Sequence, residues 1–261
     1  GTERLRSRIN KDVTDEDLLS VAKEVFSRGW HTVKLYFMIG LPGETDEDVE
    51  AIVDLVRQVR AIGQRVGGGR ASVRVSVGTF VPKPHTVFQW EPLARRETVE
   101  RRQQILKDNL HGRGLTLSWN RYPGTWLEAL LTRGDRRLAG VVERAWANGA
   151  RFDAWDEWRD MDAWHEAVEE AAAPAFESAE ALTDYYLYRE AGAETVFPWD
   201  HLHSGVEKRF LLRDLQRSRA ETRLSDCRDG RCHGCGILET YPELRTADWQ
   251  CPVLRRSQEV A

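Results

Sequence analysis

Four cysteines stand close together near the end of the chain and are the residues best suited to bind a metal. Cys227, Cys232, Cys235 and Cys251 fall within 25 residues, after 226 residues that contain no cysteine. Thiolates at such spacings bind tetrahedral zinc or an iron–sulfur cluster. The pattern predicts a terminal metal site that holds either zinc or an auxiliary iron–sulfur cluster. Free or redox-active thiols are the alternative.

A glycine-rich loop, Gly40-Leu41-Pro42-Gly43-Glu44-Thr45, is the second candidate for chemistry. It lies between a predicted strand and a predicted helix. Glycine lets a ligand approach the main chain, and a helix start attracts carboxylate or phosphate groups. The same residues are also typical of a tight turn in which Gly43 only adopts a positive φ. The loop is therefore a candidate ligand site with a purely structural alternative.

The elements that position this loop follow a strand–helix repeat. Alternating apolar residues predict strands over 32–39 and 71–81, and apolar residues at helical spacing predict helices after Thr14, after Thr45 and over 97–110. Both threonines open the tetrapeptide Thr-Asp-Glu-Asp, which is typical of a helix N-terminus. Such alternation indicates a parallel α/β sheet, in which ligands bind beyond the carboxyl ends of the strands.

The rest of the chain is predicted to be mostly helical and holds eight of the ten tryptophans. Apolar spacing predicts helices over 127–132, 139–148, 155–170, 179–188 and 206–219. Trp155 and Trp158 are expected to form part of an amphipathic core stripe. The segment Arg133–Arg137 has two interpretations, a grip on phosphate or a protein partner, or a helix-joining turn. Asp200-His201-x-His203 is expected to be an ordinary polar turn, with a metal site as the alternative.

Composition excludes several classes of protein. The 261 residues carry 38 basic and 42 acidic side chains, a formal net charge of -4, and 41% hydrophobic residues. These values predict a globular cytoplasmic protein and disfavour a general polyanion binder. No apolar run reaches the length of a membrane span, so no membrane partner is expected. Composition and spacing divide the chain into regions 1–117, 118–222 and 223–261.

Several segments resemble radical S-adenosylmethionine enzymes. The run 34–45 is similar to the fifth strand and loop of that family, 79–86 to its sixth strand and exit loop, and 1–6 to the segment after its fourth strand. Further segments resemble the carboxyl-terminal part of a cobalamin-binding-type subfamily of unassigned reaction. These are Leu127-Glu128, 133–137, 152–155, Pro198-Trp199-Asp200 and Asp226-Cys227-Arg228.

The resemblance implies an α/β fold that is the C-terminal half of a partial (βα)6 TIM-like barrel over 1–117. A mostly α extension over 118–222 and a Cys-rich module over 223–261 follow. It implies that S-adenosylmethionine binds across the strand ends, where a [4Fe–4S] cluster cleaves it reductively to begin radical modification of an unknown substrate. The cofactor side would include Thr2, Glu3, Gly40, Pro42, Gly43 and Glu44. Lys83 and His85 would face the substrate, with solvated loop residues as the alternative.

The departure from the family pattern is the missing cluster loop. No Cys-x-x-x-Cys-x-x-Cys sequence is present, and no cysteine precedes Cys227. We therefore expect the chain to begin near the fourth strand, and the [4Fe–4S] ligands and any cobalamin domain to belong to a missing N-terminal half. Such a fragment would be inactive alone. The alternative function is a metal-stabilised module that binds tRNA or a protein, with the barrel remnant as a scaffold.

Overall fold

Three parallel strands form the sheet at the centre of the molecule. The computed structural model describes residues 1–172, 175–227 and 232–245. Strands β1 (Thr32–Ile39), β2 (Ser72–Thr79) and β3 (Leu115–Trp119) pair in that order. Both pairings are parallel, with Thr32 opposite Ser72 and Val73 opposite Leu115. Neighbouring parallel strands require crossover connections, and the helices Asp46–Gly67 and Arg96–Asn109 provide them.

Ten α-helices surround and extend the sheet in the described residues. They are α1 (Glu3–Arg8), α2 (Asp15–Ser27), α3 (Asp46–Gly67), α4 (Arg96–Asn109), α5 (Tyr122–Arg133), α6 (Ala139–Ala147), α7 (Met161–Ala172), α8 (Ala179–Thr183), α9 (Lys208–Arg219) and α10 (Ile237–Thr240). Short 3₁₀ segments occupy Gly68–Arg70, Arg136–Leu138 and Pro242–Arg245, and a π-helical turn, Asp184–Tyr188, follows α8. Within the described part of the chain, none of the helices combines the length and the apolar character needed to span a bilayer.

The two Thr-Asp-Glu-Asp tetrapeptides begin helices as predicted. At α2, the Thr14 hydroxyl accepts a hydrogen bond from the Asp17 main-chain nitrogen, and the Asp17 carboxylate accepts from the Thr14 nitrogen, which is a complete capping box. At α3, the Asp48 carboxylate accepts from the Thr45 nitrogen at 2.9 Å. Each cap satisfies a donor that the first helical turn leaves without a partner.

The sheet has one buried face and one open face. The first face packs against α3 through buried side chains of both elements: Leu35, Ile39, Val73, Val75 and Val77 of the strands, and Val49, Ile52 and Val56 of the helix. The opposite face of β1 carries Lys34, Tyr36 and Met38, all of them exposed. Since successive side chains of a strand alternate between faces, this pattern follows directly from the sequence of β1.

The same hydrophobic core continues into the helices that follow the sheet. Val141 of α6, Trp164 and Ala167 of α7, and Leu187 of the π-helical turn belong to the cluster that includes the sheet. Strand β3 crosses position 117/118, where the composition changes. A second cluster joins Trp90 to Phe197 and Trp199. The described core therefore links regions that differ in composition.

Two features differ from the sequence-based predictions. Strand β3 was not predicted, and the predicted helix over 155–170 was wrong in its first turns because α7 begins at Met161. Residues 153–158 form turns, and Trp155 and Trp158 are exposed rather than part of a core stripe. The α/β class itself is confirmed by the parallel sheet and its crossover helices.

Candidate functional site

The carboxyl ends of β1 and β2 lie side by side. The first candidate loop, Gly40–Thr45, follows β1, and the second, which begins at Phe80 and contains Lys83 and His85, follows β2. Ile39 and Thr79, the last residues of these strands, are register partners. The Phe80 nitrogen then donates to the Ile39 carbonyl oxygen at 2.8 Å, which extends the pairing into the second loop. In open parallel sheets this edge is where ligands bind. The structure therefore brings Gly40 next to the start of the second loop.

The loop Gly40–Thr45 is a tight turn that depends on two glycines. Gly40 has a φ of 82° and Gly43 a φ of 70°, values that other residues adopt only with strain. The Glu44 nitrogen donates to the Leu41 carbonyl at 3.0 Å and closes the turn. A Cβ atom on Gly43 would also approach Nη1 of Arg8 to 1.9 Å, so the Arg8 guanidinium lies directly against this residue.

Glu44 ties the two ends of the loop together from inside the protein. Its Oε2 atom accepts from the Gly40 nitrogen at 2.5 Å and from Nη1 of Arg102 at 2.7 Å. Nη2 of Arg102 also donates to the Glu44 main-chain oxygen. Both side chains are buried, and Oε1 of Glu44 is buried without a hydrogen-bond partner in the described structure. Burial raises the pKa of Glu44 above its ordinary value, although the Arg102 charge opposes the change.

Asp48 fastens the first residues of the chain to the same loop. Its buried carboxylate accepts from the Thr2 hydroxyl, from the Thr45 nitrogen and from the Arg4 guanidinium. Burial by itself would raise the pKa of Asp48, but the hydrogen bonds from Thr2, Thr45 and Arg4 lower it below the ordinary value. Arg4 also donates to the Gly43 carbonyl oxygen at 3.2 Å. Thr2 is thus placed beside the candidate loop.

Glu3, the other candidate in this segment, faces a different partner. Its Oε1 atom accepts from the Asp15 nitrogen at 2.9 Å, at the start of α2. The carboxylate therefore stabilises the N-terminus of that helix, where negative charge is favoured. Thr2 and Glu3 are adjacent in sequence, but the structure directs their side chains to different elements.

An open polar surface leads along the sheet toward the loop. Tyr36 is 69% exposed and Met38 is 44% exposed, and their register partners on β2 are Ser76 and Gly78. The Lys34 ammonium lies 4.7 Å from the centre of the Tyr36 ring. This face is accessible and mixed in polarity, which suits contact with a polar ligand or another protein segment.

Lys83 and His85 belong to the loop after β2 and make contacts with later elements. The Lys83 ammonium pairs with Glu128 of α5. His85 has a φ of 55°, and its main-chain nitrogen donates to Oε1 of Gln89 at 3.1 Å. The same oxygen of the buried Gln89 accepts from Nε1 of Trp199 at 2.7 Å. The second loop is therefore held by the helical part of the chain.

The cysteines are only partly described. Cys227 and Cys235 are half-buried and Cys232 is exposed, while Cys251 lies outside the described residues. Among the residues that the structure describes, no three His, Cys, Asp or Glu side chains come together as a metal site. The terminal zinc or iron–sulfur site stays a prediction. The motif Asp200-His201-x-His203 is a turn: Oδ2 of Asp200 accepts from the Phe197 nitrogen at 2.9 Å.

Sequence reasoning did not select Asp48 or Arg102 as parts of this site. A signal existed for both. Asp48 stands three residues after Thr45, at the position from which a carboxylate can reach back to a helix cap. Arg102 lies on the buried face of α4 with Val99 and Leu106. Charged residues are rarely buried unless they pair with an opposite charge, so a buried carboxylate partner could have been predicted. The identity of that partner, Glu44, required the tertiary structure.

Comparisons with known proteins give two relatives. The chain is 32% identical over 145 residues to the uncharacterized protein MJ0966 of Methanocaldococcus jannaschii, which covers 55% of this chain and 30% of that protein. It is 28% identical over 167 residues to a tRNA-2-methylthio-N(6)-dimethylallyladenosine synthase of Pelotomaculum thermopropionicum, which covers 58% of this chain and 37% of the synthase. No family model matches, and no solved structure matches. The chain spans about a third of the length of the curated relatives it matches.

Proposed function

We propose that this chain is part of a radical S-adenosylmethionine enzyme and that the loop Gly40–Thr45 binds the cofactor. The observation that carries the proposal is the loop itself. It has two glycines with positive φ at the carboxyl end of a parallel strand, and the buried Glu44 carboxylate accepts a hydrogen bond from the Gly40 nitrogen. The match to the Pelotomaculum synthase, an enzyme of this superfamily, supports the same assignment.

The described residues fit a polar cofactor at this loop. Gly43 is exposed, and the Arg8 guanidinium lies against it with a buried Nε that has no hydrogen-bond partner in the described structure. The buried Oε1 of Glu44 is a second polar atom without a partner. Two unsatisfied polar atoms around one glycine turn are unfavourable unless a ligand or water completes them. When bound and reduced, S-adenosylmethionine supplies a 5′-deoxyadenosyl radical.

The chain's own residues would orient the cofactor and keep the loop shape constant. Glu44 holds the Gly40 nitrogen, and Arg102 holds both the Glu44 carboxylate and its main-chain oxygen. A loop that is already fixed by its own hydrogen bonds loses little conformational entropy when a ligand binds. Asp48 keeps Thr2 and Arg4 beside the loop in the same way. In this proposal Glu44 is a positioning residue.

The described residues do not provide ligands for a [4Fe–4S] cluster. No three-ligand group is present among them, and no cysteine precedes Cys227. We therefore derive no step that passes through the cluster.

Binding of S-adenosylmethionine by the full-length protein tests the proposal. Gly40→Ala puts a Cβ 3.4 Å from Cβ of Ala94, an ordinary contact, at a φ of 82°. Gly29→Ala is the matched control, since Gly29 has a φ of 87°, no atom within 4 Å of the added Cβ, and a place at the end of α2. Both variants cost about 1–2 kcal/mol of backbone strain. We expect only Gly40→Ala to weaken binding, by about tenfold in equilibrium dialysis.

A second measurement tests the chemistry. Anaerobically reconstituted and reduced full-length protein is expected to release 5′-deoxyadenosine, and Gly40→Ala is expected to lower the amount released relative to Gly29→Ala. Absence of 5′-deoxyadenosine from the reconstituted wild-type protein contradicts the enzymatic proposal. Equal affinities of the two variants for S-adenosylmethionine contradict the assignment of the loop.

A further inference from the structure

A cavity outside the loop Gly40–Thr45 is lined by arginine and aromatic side chains. It has a volume of about 640 Å³, within the range of small-molecule sites. The end of α5, the 3₁₀ turn Arg136–Leu138, the π-helical turn and the segment 195–201 form its walls. We refer to it as the arginine pocket, after Arg133, Arg136, Arg137 and Arg189. It shares no lining residue with the loop Gly40–Thr45.

Arg133 is a buried cation without a carboxylate partner. It is 8% exposed, and its guanidinium donates to the main-chain oxygens of Tyr186, Glu91 and Arg189. In the described part of the chain, no carboxylate oxygen lies within 4.0 Å of its guanidinium nitrogens. Burial and the nearby Arg189 charge lower the pKa of Arg133 to about 10. The group remains protonated at neutral pH, so the pocket keeps an uncompensated positive charge.

Asp135 is the one acidic residue among those that line the pocket, and its carboxylate is already engaged. Its oxygens accept from Nη2 of Arg137 at 2.6 Å and from the Tyr186 hydroxyl at 2.8 Å. These bonds, together with the main-chain nitrogen of Arg137, hold the pKa of Asp135 low even though burial would raise it. Asp135 therefore neutralises Arg137 and leaves the other three arginines unbalanced.

Arg136 and Arg189 are accessible cations of the pocket without a carboxylate partner in the described residues, whereas the exposed Arg137 pairs with Asp135. The Arg189 guanidinium is stacked 4.1 Å from the centre of the Tyr185 ring, which limits its freedom of movement. Another wall is built from the stacked rings of Phe197 and Trp199, whose centres are 4.8 Å apart. Fixed guanidinium groups beside aromatic rings suit an anion that carries a planar group.

We propose that the arginine pocket binds a phosphate-bearing ligand of nucleotide size, either a free nucleotide or a nucleotide unit of an RNA strand. Arginine forks match phosphate oxygens, and pairing with an anion is most favourable where the cations have no carboxylate partner. The volume exceeds that of a phosphate group alone, and the side chain of Val196, which is 84% exposed in the lining, provides apolar surface for the rest of the ligand.

Calorimetric titration of the full-length protein tests this proposal with three probes: inorganic phosphate, AMP and a single-stranded RNA dodecamer. Arg136→Ala and Arg189→Ala each remove one accessible charge without touching buried Arg133. Arg144→Ala is the control, since Arg144 is an exposed arginine of the neighbouring α6 that pairs with Glu170 at 2.9 Å. We expect each pocket variant to weaken binding of AMP or of the RNA by about tenfold and the control to leave it unchanged. Thermal melting of every variant separates lost binding from lost folding.

The probes also identify the source of the phosphate. AMP that binds as tightly as the RNA at 50 and 200 mM salt supports a free nucleotide. RNA that binds more tightly than AMP, with an affinity that falls steeply over the same salt range, supports a nucleic-acid unit. Inorganic phosphate that binds as tightly as AMP overturns the assignment to a ligand of nucleotide size. Binding of AMP and RNA that is absent, or equal in wild type and both pocket variants, overturns the site itself.

Discussion

Two buried arginines in this protein are held in opposite ways. Arg102 pairs with the buried Glu44 carboxylate of the loop Gly40–Thr45, whereas Arg133 lies at the arginine pocket and, among the described residues, donates hydrogen bonds only to main-chain oxygens. The first pair cancels its own charge and fixes a loop. The second leaves its charge available to the space beside it. Burial of a guanidinium therefore indicates support in one region and recognition in the other, and the partner decides between them.

The largest expected effect is the loss of the Arg102 partner. Arg102→Met leaves the Glu44 carboxylate buried without its cation, and removal of one member of a buried pair costs about 3–5 kcal/mol. Urea denaturation of the two proteins measures the difference. The control is Arg101→Met, because Arg101 is the exposed neighbour that pairs with Asp46 at 2.9 Å and is worth no more than about 1 kcal/mol. Equal effects of the two changes would remove the distinction between the buried and the exposed pair.

Arg133→Met tests the other buried arginine. The change removes an uncompensated charge, which is favourable, but leaves three main-chain oxygens without their donor. Because the pocket is open, water can reach part of this surface, and we expect a net loss of about 2 kcal/mol. The same urea experiment measures it. A loss as large as that of Arg102→Met would mean that Arg133 is mainly a structural residue and would weaken the comparison.

The pH dependence of stability shows in which direction the folded protein shifts the pKa of Glu44. Burial raises the folded-state pKa of Glu44 above its unfolded value of about 4.3. The folded protein then binds the proton more tightly than the unfolded chain does. The contribution of Glu44 is complete below the unfolded pKa and is lost as the pH rises through the folded pKa.

Glu44→Gln isolates this contribution because glutamine does not titrate. The stability of the wild type relative to Glu44→Gln is expected to decrease as the pH rises from about 4 toward 7. Denaturation midpoints of both proteins across this range give the difference. An increase over the same range would mean that the Arg102 charge outweighs burial at this carboxylate.

The sequence predicted the strand-end region better than the arginine pocket, for physical reasons. Strand β1 matches its alternating pattern over 32–39, and the glycines of the loop after it are local signals of backbone conformation. Strand β3 was not predicted because its five residues, of mixed burial, are too few to establish an alternating hydrophobic pattern. The early start predicted for α7 placed Trp155 in the core, although its turn leaves the side chain 54% exposed.

The partners of charged side chains were the part that the sequence could not supply. Arg102 and Glu44 are 58 residues apart, and Arg133 meets main-chain oxygens up to 56 residues away. Such contacts depend on how the elements pack, which no local pattern encodes. The segment Arg133–Arg137 had two open interpretations. The structure shows a turn in which Asp135 pairs with Arg137, and the grip on phosphate or a protein partner stays a prediction.

The smallest expected effect concerns the repulsion between Arg133 and Arg189. The Arg189 charge helps to lower the pKa of Arg133, so the two cations destabilise each other. Arg189→Gln removes that repulsion but also the stacking on Tyr185, and the two changes nearly offset each other within about 0.5 kcal/mol. Salt separates them, since ions screen repulsion more than ring contacts. Between 20 and 500 mM NaCl, the melting temperature of the wild type should therefore rise more than that of Arg189→Gln. Arg189→Lys is the control, because it keeps the charge and its melting temperature should rise as much as that of the wild type. An identical response of all three proteins would mean that the pocket carries no excess charge.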